Sequence, residues 1–509
     1  MSSNLEIDIL VKEYWWGGTV QDGTLMPYKE MNFKRDLAKE QMSNQSSPLL
    51  ISSKGRYVWC EEPFDFSFNG NKLCVRSNCD EIILAEGHKD LKGAFLHVSS
   101  SYFPADGKYP DSLLFTVPQY NTWIEMMYEP TQEKVLAYAK AILDNDMPPG
   151  VIMIDDNWQE DYGVWNFHPE RFPEPKVMID KLHKMGFKVL LWVCNFISPD
   201  SLTSRTIANM GYLVKRENAK LAIVEWWNGF STMLDLTNEA AVQWFKDQLN
   251  KLMLEFGVDG FKFDAGDLVY FDNNFVCSKP MNGNQYSEAW GKIGLDYELN
   301  EYRACWKLGG RPLAQRLSDK CHSWELNGLG SLIPNGLAQG ILGYAFTCPD
   351  MIGGGEYLNF LENNKNLDME LIVRNAQCAA LFPMMQFSVA PWRVLDEEHL
   401  QLCVQMAKLH ERFGNQILKL AKEASVTGEP IIRHMEYVFS GNGYEKVTNQ
   451  FMLGNNILVA PVLLKGDVTK SVVFPEGKWM GDDNSIVEGP CIITVNAPLS
   501  RLPWYQKVY

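Results

Sequence analysis

The 509-residue chain predicts an α/β protein: a central (β/α)8 TIM barrel flanked by an N-terminal β-sandwich and a C-terminal β-sandwich. Three observations lead there. Short continuous apolar runs alternate with helical segments between about 119 and 392, as expected of strands buried on both faces of a parallel sheet. Three of those runs end in aspartates, and barrel active sites sit at the C-terminal ends of the strands. The two ends of the chain instead show short alternating segments separated by Gly, Pro and Asn. The expected division is 1–118 for the first sandwich, 119–392 for the barrel, 393–430 for its last helix and a connection, and 431–509 for the second sandwich.

Within 1–118, "FDFSFNGNKLCV" (64–75) alternates Phe64, Phe66 and Phe68 with polar residues and then turns at Asn69-Gly70, a strong hairpin signal. Little of this region reads as helix. The first apolar run, "GVIMIDDNW" (150–158), precedes a helical segment, "PKVMIDKLHKMG" (175–186), closed by glycine. A second run follows, "KVLLWVCNF" (188–196). In 237–257, apolar residues at 241, 242, 245, 249, 252, 253 and 256 follow helical spacing after a Thr/Asn cap. That helix leads into "DGFKFDAGD" (259–267). Further strand candidates are 302–306, 344–350 and 382–388, making about eight barrel units in all. A long helix over 400–424 then leads to the C-terminal strands.

Bulk properties narrow the function. A net charge of -16, without a basic tract, disfavours nucleic acid or an anionic membrane surface as partner. No uninterrupted apolar stretch is long enough to span a bilayer, and the first thirty residues do not read as a signal peptide, so a cytoplasmic location is expected. Eleven scattered cysteines without CxxC spacing read as free thiols, and no metal site or cofactor is expected. Homo-oligomer formation is left open.

Along the strand "GFKFD", Phe261 and Phe263 share one face and Lys262 and Asp264 the other. Charge in so apolar a strand needs a partner or a use. Acids at Asp155, Asp156, Asp264 and Asp350 end candidate strands. Asp319 is expected after the fifth strand. Carboxylates converging on a Trp-rich mouth suit glycoside hydrolysis, in which one attacks the anomeric carbon and another protonates the leaving oxygen. Lys262 is expected to keep Asp264 ionised. From the residues alone, a structural Lys-Asp pair stands beside this reading.

"DGFKFDAGD" resembles the nucleophile strand of glycoside hydrolase family 31. "SDKCHSW" is similar to the family's acid/base motif G-D-N-x-x-x-W, with Asp319 and Trp324 kept and Ser318 and Lys320 in place of Gly and Asn. Arg303, sixteen residues before Asp319, matches the sugar-binding arginine. "PPGVIMIDDNW" resembles the second-strand motif, in which Asp155 matches the residue that holds sugar hydroxyls and Asp156 is its neighbour. "WWNGFSTMLDLTNEAAVQWF" places Trp227 at the stacking position. Two further matches, "FGNQILKLAKEASVTGEPIIRHMEY" and "FMLGNNILVAPVL", extend the resemblance to 509. Where many α-glucosidases of the family read R-N-H, this chain has Gln386-Phe387-Ser388. The Lys-Phe-Asp-Ala-Gly core and the Asp155-Asp156 pair look closer to the branch containing the myogenesis-regulating glycosidase, whose members are α-galactosidases. A short loop after the third strand (196–225) implies an open site.

The resemblance implies an exo-acting retaining α-glycosidase acting on a small oligosaccharide or glycoside. Asp264 is the expected nucleophile and Asp319 the acid/base, with carboxyls about 5–5.5 Å apart. Asp155, Asp156, Trp192, Trp227, Lys262, Arg303 and Trp324 are expected to contact substrate, and Asp350 to orient its neighbours. An α-galactoside is the first expectation, an α-glucoside the second, then α-xyloside or sulfoquinovoside. From other classes come a lyase using Lys262 as a Schiff-base amine and a non-catalytic sugar-binding protein.

Overall fold

Eight parallel strands form the central barrel in a computed structural model that describes residues 3–29, 31–39, 44–78, 81–363 and 365–508. In chain order they are Gln119–Asn121, Val151–Ile154, Lys188–Val193, Gly260–Phe263, Leu299–Tyr302, Gln315–Arg316, Thr347–Cys348 and Gln386–Phe387. From the first to the seventh each pairs with the next in parallel, and the eighth pairs with the first. A single parallel bridge, Ile352 to Phe387, joins the seventh connection to the eighth strand and closes the ring. Pairing places Trp192, Lys262 and Glu301 side by side at one level of adjacent strands.

The helices form where the spacing predicts them. Glu239–Phe256 is capped by the Asn238 side chain and ended by Gly257 at φ +83°. Pro175–Lys184 starts on its proline, and the long helix Glu397–Thr427 ends at Gly428 with φ +74°. Glycine takes these left-handed positions without a Cβ clash.

Several expectations change. The first and sixth strands, Gln119–Asn121 and Gln315–Arg316, lack the apolar signature because all their buried side chains but Tyr120 are polar. The run at 302–306 is divided: Tyr302 ends the fifth barrel strand, while Cys305–Trp306 pairs with Gln45–Ser52 in an N-terminal sheet. Asp319 therefore follows the sixth strand, not the fifth.

The N-terminal region contains a four-stranded antiparallel sheet and a second sheet that Cys305–Trp306 joins. Its hairpin forms one residue later than the Asn69-Gly70 signal: Asn69 pairs with Lys72, and the chain turns through Gly70, at φ +61°, and Asn71. It also holds a helix, Leu91–Tyr102, whose buried Leu91, Ala94, Phe95 and Val98 follow i, i+3, i+4, i+7 spacing, interrupted to the eye by glycine and serines. At the other end, six antiparallel strands form one continuous sheet around Val472, Phe474, Trp479 and Tyr505. Among the described residues, no helix is long and apolar enough to cross a membrane.

Candidate active site

The fourth barrel strand answers the question its sequence raises. Phe261 and Phe263 point outward and pack on Tyr297, Trp290 and Tyr302. Lys262 points into the barrel, where its ammonium donates to Asp155 Oδ2 at 2.7 Å across two strands. Asp264 emerges at the strand's C-terminal end. Directly after it, Ala265 and Gly266 take φ +58° and +78°, folding the chain so that Asp267 returns beside Arg303. A Cβ on Gly266 would lie 2.2 Å from Trp290 Cδ1, so the turn requires glycine.

Asp264 is 8% exposed. Its Oδ2 accepts from Trp192 Nε1 at 2.7 Å. Its Oδ1 lies 2.8 Å from Arg303 Nε, a close ion pair whose angle leaves both atoms without an aligned hydrogen bond. Burial alone would raise the Asp264 carboxyl. The positive charge of Arg303, then that of Lys262, and the Trp192 hydrogen bond outweigh it and hold the group down at about 2. Arg303, rather than Lys262, is thus the principal cation beside Asp264. Lys262 belongs first to Asp155: burial pushes its amine down, but the Asp155 charge more than compensates and keeps it protonated. An ammonium so held is a poor Schiff-base amine.

Arg303 also reaches Asp319: its Nη1 lies 3.6 Å from Asp319 Oδ2. One guanidinium therefore touches both Asp264 and Asp319, and both carboxylates line the same cavity. The second arginine, Arg316, donates from Nη1 to Asp319 Oδ1 at 2.8 Å and to Asp350 Oδ1 at 2.7 Å. Asp350 stands behind the cavity wall, where its Oδ2 accepts from the backbone N–H groups of Lys320 and Gly355.

Asp155 and Asp156 both line the cavity, contrary to the alternation expected of a strand. The strand stops at Ile154, and the chain turns through Asn157 at φ +73°. Asp156 accepts from Asn228 Nδ2 at 2.7 Å, Tyr162 Oη at 3.1 Å and Gln159 Nε2 at 3.1 Å. Burial nevertheless raises its carboxyl to about 7.

Together with these groups, Trp123, Glu356 and Tyr357 enclose a cavity of about 150 Å³. Sequence reasoning missed those three residues. Glu356 and Tyr357 come from the connection after the seventh strand, and Trp123 follows the first, one of the two strands that carry no apolar run. Trp227 lines the cavity, but its ring carries the Arg303 guanidinium 4.7 Å from the centroid, so one of its faces is already stacked. Trp324 is not brought in. Its N–H donates to Asp368 Oδ2 at 3.0 Å, and it lines a separate cavity against the C-terminal sheet. Gln386, Phe387 and Ser388 are buried without lining the site: Gln386 donates to Glu301 and Ser388 accepts from the Ile124 N–H. The connection after the third strand includes the hairpin Ile223–Trp226 and Gly229–Met233, whose turn brings Trp227 to the cavity and Asn228 to Asp156. Among the described residues, no group of three or more His, Cys, Asp or Glu side chains could hold a metal.

The family model "Glycosyl hydrolases family 31 TIM-barrel domain" matches residues 117–410, and "Glycosyl hydrolase family 31 C-terminal domain" matches 428–508. The chain is 31% identical over 419 residues to the myogenesis-regulating glycosidase of Mus musculus, covering 81% of this chain and 58% of that protein. It is 25% identical over 368 residues to the sulfoquinovosidase of Escherichia coli, covering 67% and 53% respectively. The chain thus spans between half and three-fifths of the length of these relatives. The family 31 dextranase of Flavobacterium johnsoniae, solved with glucose, shares the fold with a TM-score of 0.87 at 21% identity, over 99% of this chain and 66% of that one.

Proposed function

Because the chain belongs to glycosyl hydrolase family 31, we propose that it is an exo-acting retaining α-glycosidase that hydrolyses a terminal α-linked hexose, first of all an α-galactoside. The observation that carries this reading is the reach of Arg303 to both Asp264 and Asp319 at the wall of one small cavity. Its volume of about 150 Å³ is below the range of drug-sized pockets and suits one sugar unit, which favours exo action.

In the first step Asp264 attacks the anomeric carbon while Asp319 protonates the departing oxygen, leaving a covalent glycosyl-enzyme. In the second, Asp319 takes a proton from water, which attacks the same carbon and frees Asp264. Arg303 and Trp192 keep Asp264 ionised and oriented for attack. Asp155, fixed by Lys262, and Asp156 offer carboxylate oxygens to sugar hydroxyls.

The choice of galactose rests on the resemblance to the myogenesis-regulating glycosidase branch. An α-glucoside, and behind it an α-xyloside or sulfoquinovoside, are the other outcomes of a panel of aryl α-glycosides. Turnover of the glucoside with an inert galactoside would replace the first choice. Asp264→Ala should lower turnover by about 10³-fold or more, and a few per cent of residual activity rules out the mechanism. A fluorosugar that labels Asp264 separates the enzyme from a sugar-binding protein. NMR of the first-formed anomer checks retention.

A further inference from the structure

We infer that Gln45, in the N-terminal sheet, is a positioning residue for Asp319, acting through the main chain of Arg303 and Arg316. The inference rests on the glycosidase reading and adds a role for a region, 1–116, that neither family model covers.

Gln45 opens the strand Gln45–Ser52 and is fully buried. Its side-chain amide enters the barrel wall between the fifth and sixth strands. There Nε2 lies 2.9 Å from Arg303 O, 2.9 Å from Arg316 O and 3.0 Å from Gln315 Oε1. The two main-chain carbonyls can only accept, so they fix which end of the amide faces them. The other end, Oε1, accepts from Gln339 Nε2 at 2.6 Å. The neighbouring Asn44 accepts from the N–H of Ser318 at 3.3 Å.

The carbonyls that Gln45 joins belong to the two arginines that contact Asp319. Within the sheet the fifth and sixth strands pair at one position only, Tyr302 with Gln315. The side-chain ties between them, Asn300 to Pro312 O and the Ala314 N–H, and Arg316 to Glu301, come from residues of the fifth strand before Tyr302. Beyond that pair, the Gln45 amide bridges the two strand ends. Removing it leaves three buried acceptors without that donor and frees the ends to separate, moving both guanidiniums and the carboxylate between them.

A misplaced acid harms reactions in proportion to how much the leaving group needs a proton. The test compares the full-length wild type with Gln45→Met, which has similar length and no donor, and Gln45→Asn, which keeps the amide one methylene short. Each is assayed on a phenyl α-glycoside and on the matching α-glycosyl fluoride, whose leaving group needs little protonation. We expect kcat/KM to fall about tenfold or more on the phenyl glycoside and less than about threefold on the fluoride. Equal losses on both substrates, or no loss on either, would overturn the inference. Wild type that cleaves no α-glycoside, or Asp264→Ala that stays active, defeats the glycosidase reading alone. In that case crystal structures of the two variants decide: displaced Arg303 and Arg316 guanidiniums support the role of Gln45, and unmoved ones dismiss it.

Discussion

Asp264, itself buried, keeps its charge because Arg303 lies 2.8 Å away, with Lys262 and the Trp192 N–H adding to the effect. Since the folded state holds this carboxyl at about 2, below its ordinary value of 3.8, its ionisation stabilises the fold above the ordinary value. That contribution is lost as pH falls towards 2. The shift corresponds to roughly 2 kcal/mol. Urea unfolding of wild type and Asp264→Asn should therefore show a stability difference that narrows by about that amount on acidification through this window. A difference independent of pH contradicts the assignment. At this scale the sequence was informative about which residues meet: eight of the ten expected site residues line the cavity. It was less informative about partners. Lys262 and Asp264 are near neighbours in the chain, yet the ammonium bonds Asp155, 107 positions away. Trp324 kept its motif spacing, but its ring turned to Asp368.

The turn after the fourth strand is the element on which the placement of Asp264 depends. Ala265 and Gly266 occupy consecutive left-handed positions, and Trp290 fills the space a side chain on Gly266 would need. Gly266→Ala is expected to cost more than about 1 kcal/mol, because the conformational penalty and the clash add. A lowered melting temperature together with reduced turnover checks this, and an unchanged melting temperature refutes it. Long elements with one clear periodicity, such as Glu239–Phe256 and Lys188–Val193, were legible because burial dictates their pattern. The first and sixth strands were not. Gln119, Asn121 and Arg316 face a polar barrel interior, where Gln386 and Glu301 supply hydrogen bonds in place of apolar packing, and Gln315 bonds Gln45 of the N-terminal sheet.

At the scale of the whole molecule, the N-terminal sheet and the barrel share structure rather than only touching. Cys305–Trp306 completes the sheet, Tyr344 donates to Ser46 O at 2.8 Å, and Gln45 sits between barrel strands. We therefore expect these two regions to unfold in one cooperative transition, with circular dichroism and tryptophan fluorescence coinciding in urea. Two separated transitions would show the regions to be independent. The barrel and its flanking sheets were readable from alternation and composition. The strand that crosses from one to the other was not, because two residues, Cys305 and Trp306, carry no periodicity of their own. The barrel is also uneven around its circumference. The second to fifth strands pair through four residues each, whereas the sixth to eighth are two residues long. Asp155, Trp192, Asp264 and Arg303 rise from the first group, and Asp319, Glu356 and Tyr357 from the connections of the second. Amide protons should exchange slowly on the former side and faster on the latter. On the glycosidase function proposed above, the enzyme would be strict about the sugar whose bond it breaks and lenient about the group that departs.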